Sequence, residues 1–410
     1  MKIADVHARE IFDSRGIPTI ECDLILADGM VITSSVPSGM SKSSFEAYEK
    51  RDGGDRLRGL GVLKVVASIE KIIAPELINK DTNLVEMDMD LLEIDGTDDK
   101  SQCGANALLA VSMAVCKAQA YNESLPLYEL IARMCNNDLI TLPLPMFNCF
   151  GGGAHAYTNF PLQEVLIVPV GAESFRDAMD VGSAVFYALR SILIAKGMST
   201  AVGFEGEFVP QFKNIYEAFD LVMDAIKKSG YEHDVMISID CAANSFYNHS
   251  TQKYMWENKE VDAYVLIEWY KKLMQTYPIY SLEDGLAESD WDNWKVMKHE
   301  LGKQIKIIGD DIFATNPQRI WHGIENDSAT TVLIKPNQIG TVTETLQSIL
   351  LCRENGWDSV VSHRSGETND SFIADLAVGA NAMHIKAGGF CRGERMAKYN
   401  RLLYIEDDVE

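Results

Sequence analysis

The chain of 410 residues is 47% hydrophobic and 24% charged, the mixture of an ordinary globular protein of two or three domains. That composition excludes a disordered chain, a collagen-like repeat and a coiled coil. With 60 acidic against 37 basic residues the net charge is −23, which repels phosphate backbones and anionic membranes, so no nucleic-acid or membrane partner is expected.

The opening MKIADVHARE has no apolar h-region, and no apolar stretch approaches the ~18 residues of a membrane span. The eight cysteines are scattered without a CxxC, which disfavours a zinc ribbon or redox dithiol and reads as reduced, mostly buried thiols in a cytoplasmic protein.

Residues 1–35 read as extended runs, with Ser14-Arg15-Gly16 and Asp28-Gly29 as turns. Helical patterns follow from Val62 to Ile78 and from about Gln102 to Ala120. A sheet followed by helices makes an α+β unit. Asn136-Asn137-Asp138 and Pro143/Pro145 mark a boundary, giving domains 1–138 and 139–410.

The second part is built of short apolar runs that each end in polar residues. They are VMISIDCA, IYSLEDG, IKIIGDD, TVLIKPN, SVVSHRS and AMHIKAG, ending at Asp240, Glu283, Asp310, Lys335, His363 and Lys386. The intervals of 23 to 43 residues mostly fit one strand plus one helix, with helical patterns over 259–276 and 341–355. The fold class is α/β, a closed parallel barrel with its chemistry at the C-terminal ends of the strands. An open doubly wound sheet with ordinary polar strand ends is the competing reading.

Asp240, Glu283 and Asp310 would converge on one mouth, where three carboxylates repel unless a cation neutralises them. An all-oxygen set suits Mg²⁺. Lys335 and Lys386 lie at matching positions, and a lysine beside a cation and another lysine is pushed toward its neutral form, able to act as a base. His363-Arg364-Ser365 offers donors for phosphate or carboxylate. Two glycine-rich loops, around Gly151-Gly152-Gly153-Ala154-His155 and Gly203-Phe204-Glu205-Gly206-Glu207, lack dinucleotide spacing. A third segment, Ser38 to Ser44, reads as a lid or a plain loop.

Together these stretches resemble an enolase (phosphopyruvate hydratase) over nearly the whole length. The resemblance rests on Ser14-Arg15-Gly16, Val36-Pro37-Ser38-Gly39, Gly104-Ala105-Asn106-Ala107 and Gly152 through Ala156. It continues in Gln163-Glu164, Gly309-Asp310-Asp311, Lys335 with NQIGT (337–341), SHRSGET (362–368), and Glu394-Arg395 with Ala397 through Asn400. It implies a small N-terminal domain, a barrel whose first strands depart from regular order, a homodimer and two Mg²⁺ ions during turnover. By position, Asp240, Glu283 and Asp310 would hold the first ion, and the Ser41 loop would close and help bind the second. Lys335 would remove the proton alpha to the substrate carboxylate, and Glu205 would be the acid that helps the β-hydroxyl leave. Lys386 would bind the carboxylate, Arg364 and Ser365 the phosphate, with His155, Glu164 and His363 lining the pocket.

The departures from the family pattern cluster around the substrate. Phe204 and Glu207 stand where Asp and Gly are usual, Gly151 where Asn is usual, and Met40, Lys42 and Ser43 interrupt the mobile loop. Ile17, Tyr157 and Pro336 also differ. Phe204 is expected to make the surroundings of Glu205 more apolar, and Lys42 to pair with Glu207. The implied reaction interconverts 2-phosphoglycerate and phosphoenolpyruvate. The alternatives are a paralogue acting on a related phosphorylated or phosphono carboxylic acid, and a non-catalytic binding protein, against which the intact carboxylates and lysines argue.

Overall fold

The structure, a computed structural model, describes residues 1–40, 42–153 and 156–409. Strands β1 (Ile3–Phe12), β2 (Pro18–Leu26) and β3 (Val31–Ser35) form an antiparallel sheet in that order. Asp13 builds the first turn, its Oδ1 accepting the N–H groups of Arg15 (2.8 Å) and Ile17 (3.0 Å), and Gly16 supplies the positive φ of 73°. The inward residues of β2, from Ile20 to Leu26 at every second position, pack on the helix Ala105–Asn122. That helix is buried along most of its length, and its alanines let it lie close to the sheet.

The expected helix over 62–78 is present with an interruption. It runs Leu63–Ser68, then a π turn at Ile69–Ile73, then Ala74–Leu77. Pro75 has no N–H to return to the preceding turn, which accounts for the break in regular bonding. The helices Leu84–Asp95 and Leu127–Met134 were not expected. The first is bounded by Asn83 as N-cap and by Gly96 at φ 66°, signals that were legible.

The barrel closes with eight strands. All six expected runs are strands: β6 (Met236–Asp240), β10 (Ile279–Glu283), β11 (Lys306–Gly309), β12 (Thr331–Ile334), β13 (Asp358–Ser362) and β14 (His384–Gly389). Two more, β4 (Leu144–Gly151) and β5 (Glu164–Val168), complete the ring between β14 and β6. They are buried on both sides and carry no alternation to betray them. β5 runs antiparallel to both neighbours, so its first residue, Glu164, stands at the same mouth as the last residue of β6, Asp240, with which it pairs. The longest interval is filled by a small sheet of β7 (Tyr247–Asn248), β8 (Lys253–Trp256) and β9 (Lys259–Val261). The helix expected from 259 therefore begins only at Ala263.

Met146, Leu166, Val168, Ile308, Leu333 and Val360 form an apolar cluster inside the barrel, below the charged residues at the strand ends. The seven fully buried cysteines and the half-buried Cys391 are all unpaired. One expectation is corrected by the helix Phe175–Ala195, which is long and apolar enough by length and composition to cross a membrane. Half of that stretch is buried, and the helix packs on β4 and the helix Ile215–Ser229, so its apolarity is that of a barrel wall.

Asp88, buried on the helix Leu84–Asp95, accepts the N–H of Thr343 at 2.8 Å at the start of the barrel helix Val342–Glu354. A helix N-terminus favours a carboxylate, yet burial outweighs it and pushes the carboxyl up to about 6. The folded state thus holds this proton more tightly than the unfolded chain, and stability falls as pH rises from about 4 toward 6, by about 3 kcal/mol in all. Calorimetric melting of the wild type and Asp88→Asn should show the variant gaining relative stability between pH 5 and pH 6 and holding a constant lead above pH 7. A difference that does not change with pH would contradict the assignment.

Candidate active site

The barrel delivers its charges to one mouth. Asp240 ends β6, Glu283 ends β10 and is its register partner, Asp310 follows β11, and Glu164 opens the reversed β5. All four are buried. The Lys386 ammonium, rising from β14, binds three of them: Glu164 Oε2 at 2.6 Å, Asp240 Oδ2 at 3.0 Å and both oxygens of Glu283 at 2.9 Å. Burial alone would lower this lysine, but Asp240, Glu164 and Glu283 hold it well above its ordinary value. Burial and the Asp240 charge in turn push Glu283 well up.

Lys335 follows β12 and donates to Asp310 Oδ2. Asp310 Oδ1 accepts from Gln338 Nε2 at 3.0 Å. Burial pulls Lys335 down, and Asp310 more than restores it, so the lysine stands above its ordinary value. The neutral lysine was expected beside a bound cation; among the protein's own groups, with its ammonium directly on a carboxylate, the attraction exceeds the repulsion from Arg364 and Lys386.

Asp284 was missed by the sequence reading. Its φ of 43° turns it under the mouth, where its two oxygens accept the N–H groups of Asp310 (2.9 Å) and Asp311 (3.0 Å) and so orient Asp310. Its position beside Glu283 in the run LEDG was the available signal. Burial and Asp311 push it well above the carboxylate range, and burial and Asp310 push Asp311 up to about 7. The carboxylates of Asp284, Asp310 and Asp311 have oxygen atoms within 4.8 Å of one another.

The other wall belongs to Glu205. Its Oε2 accepts from Asn148 Nδ2 at 2.9 Å and lies 3.3 Å from His363 Nε2. Arg395 Nη1 donates to His363 Nδ1 at 2.6 Å, so the ring proton resides on Nε2 and points at Glu205. Burial, with help from Arg395, lowers His363 to about 4, so the ring is neutral at physiological pH. Glu164, Glu205 and His363 bring ligand atoms within 4.8 Å of one another. Phe204 does not enclose the acid as expected. It is 38% exposed, and Glu205 is instead surrounded by polar groups.

Above them lies the N-terminal loop. Arg364 donates to both oxygens of Glu46 (3.1 and 3.2 Å) and to Asn337 Oδ1 at 3.0 Å. Ser365 Oγ accepts the Met40 N–H at 2.9 Å. Ser43 Oγ and Ser44 Oγ both reach Glu288, each at 2.6 Å. Phe45 lies beneath the Arg319 guanidinium, 3.3 Å from ring centroid to carbon. These contacts hold the described residues of the segment against the mouth of the barrel. Lys42 pairs with Glu49 within its own loop rather than with Glu207. Ser41 and His155 lie outside the described residues.

Among the described residues, those that line the cavity include Glu164, Glu205, Asp240, Lys335, His363, Arg364, Ser365 and Lys386. Its volume of about 20 Å³ is room for about one water. Glu283 and Asp310 stand just beneath through Lys386 and Lys335. A larger cavity of about 600 Å³, between β1, β3 and the loop after β13, contains none of these lysines. The donor set fits a hard divalent cation. It is made of oxygens, it is buried, and the carboxylates at the mouth outnumber the two lysines that balance them.

The family model described as the enolase N-terminal domain matches residues 3–131, and that described as the enolase C-terminal TIM barrel domain matches residues 139–410. Between them the two models span nearly all of the chain, in the order that the sheet and the barrel follow. The chain therefore belongs to the enolase family and is a lyase-type enzyme of the enolase superfamily.

Proposed function

We propose that this protein dehydrates 2-phosphoglycerate to phosphoenolpyruvate in a Mg²⁺-dependent reaction, as a cytoplasmic homodimer. The observation that carries the reading is one cavity lined both by Lys335 and by Glu205, a base from the end of β12 and an acid from the loop between the helices Phe175–Ala195 and Ile215–Ser229. Cations held by Asp240, Glu283 and Asp310, with Ser41 for the second, would supply electrophilic stabilisation of the substrate carboxylate as it gains charge.

The rest of the chemistry belongs to the chain. Lys335 Nζ takes the proton alpha to the carboxylate once Asp310 no longer holds it charged. The electron pair from that C–H bond forms the new double bond, and the β-hydroxyl departs as water with a proton from Glu205. Asn148 and the neutral His363 orient the acid. Lys386, permanently charged, balances the carboxylate. Arg364 and Ser365 receive the phosphate, Glu46 yielding its place on the guanidinium.

Absorbance at 240 nm with Mg²⁺ and 2-phosphoglycerate tests the reading. Turnover is expected, with Lys335→Ala losing at least about a hundredfold. Folded, Mg²⁺-loaded protein without turnover would shift the assignment to a related phosphorylated or phosphono acid, a reading that the Glu207 and Gly151 departures favour. Mg²⁺ binding without turnover of any such acid would leave a binding protein.

The lid makes a separate prediction. Ser43→Ala/Ser44→Ala removes two hydroxyl donors to a carboxylate, bonds of about 1.5–3 kcal/mol each before compensation by water. Tryptic cleavage after the exposed Lys42 should accelerate about tenfold, and KM should rise. Unchanged cleavage would show that Glu288 is no latch.

A further inference from the structure

Glu207 is a buried carboxylate beside the active site that is not among the residues lining the cavity. Its side chain occupies space that two glycines leave open. A Cβ on Gly151 would meet its Cγ and Oε1 at 2.6 Å, and a Cβ on Gly203 would overlap Oε1 and lie 2.7 Å from Cδ. Neither glycine has a positive φ, so the backbone conformation does not call for glycine at either position. The room taken by Glu207 does.

From that slot Glu207 Oε2 accepts the N–H of Glu205 at 2.8 Å. The same turn is closed by Gly203 N–H donating to the Glu207 carbonyl at 2.8 Å, and the Glu205 carbonyl accepts from Gly389 N–H at 2.7 Å. The Glu205 backbone is therefore held on both sides while Asn148 holds its carboxylate. Gly206, at φ 87°, lets the turn pass within reach of the Cys391 carbonyl.

We propose that Glu207 is a positioning residue for Glu205. Its carboxylate fixes the Glu205 amide and so aims the acid's side chain, and Gly151, where the family pattern has Asn, joins Gly203 in leaving the room that it takes. The catalytic consequence rests on Glu205 being the acid of the proposed reaction, whereas the placement of Glu205 does not.

The test compares Glu207→Gln with Glu207→Met in the full-length protein. Glutamine keeps an acceptor of the same reach, and methionine keeps the length without it. Methionine is expected to lower kcat by about 10- to 100-fold with little change in KM, and glutamine to restore most of that loss. The ¹⁵N signals of the His363 ring, whose Nε2 faces Glu205, should move in the methionine variant and stay near the wild-type position in the glutamine variant. That readout needs no substrate, so it separates a failure of this proposal from a failure of the proposed reaction.

Should the methionine variant not fold, a cycle with Gly151→Ala decides. The alanine should lower the melting temperature clearly in the wild-type background and much less beside Glu207→Gly. Equal effects of glutamine and methionine on the His363 signals, or an alanine cost that is the same in both backgrounds, would overturn the proposal.

Discussion

Three buried carboxylates meeting on the ammonium of Lys386 set the terms for the rest of the molecule. Glu164, Asp240 and Glu283 come from three strands, and each lies within 3.0 Å of one nitrogen. Burying charge is costly, and removing one partner of such a cluster typically costs about 3–5 kcal/mol because the others are left uncompensated. The cluster is tenable only where strands converge and where every charge meets a fixed opposite or a fixed dipole. The barrel provides the convergence. Asp284 and Gln163 provide dipoles and acceptors around it, Gln163 donating to Asp240 at 3.0 Å.

The reversal of β5 is the topological device behind this convergence. Were β5 parallel, its C-terminal Val168 would reach the mouth and Glu164 would be at the floor. Running backward, it delivers Glu164 to Asp240 and Lys386 while Val168 joins the apolar plug. The same reversal puts the connection from β4 to β5 at the mouth and the start of the helix that follows β5, beyond Val168, at the floor. The loop carrying Glu205 lies after that helix and docks on β14 through Gly389.

Much of this was legible because it repeats. Asp240, Glu283, Asp310, Lys335 and Lys386 each close an apolar run, so a single barrel hypothesis placed them together, and the geometry does bring them together with Glu164, Glu205, His363, Arg364 and Ser365. β4 and β5 were hidden because strands buried on both faces have no periodicity of their own. Asp284, Glu288 and Glu46 were hidden for another reason. Each acts by contacting a backbone amide, a hydroxyl or a guanidinium more than twenty residues away, and nothing in the neighbouring sequence records that partner.

The same limit explains the two expectations about the altered loops that did not hold. Pairing Lys42 with Glu207 treats charge as a matter of which loops approach each other, yet Glu49 lies seven residues along the lysine's own loop and captures it. Glu207 is accommodated by an amide donor two residues back and by a space where two glycines carry no side chain. Phe204 likewise turns partly to solvent because its carbonyl is held by Arg395 at 3.0 Å, which fixes the backbone and leaves the ring outside. Gly151 and Glu207 thus form one steric arrangement rather than separate changes, and Gly203, glycine in the family pattern as well, completes the slot. A glutamate can sit behind the acid because two positions on facing segments carry no Cβ, and a side chain at either one would drive the carboxylate out of its slot.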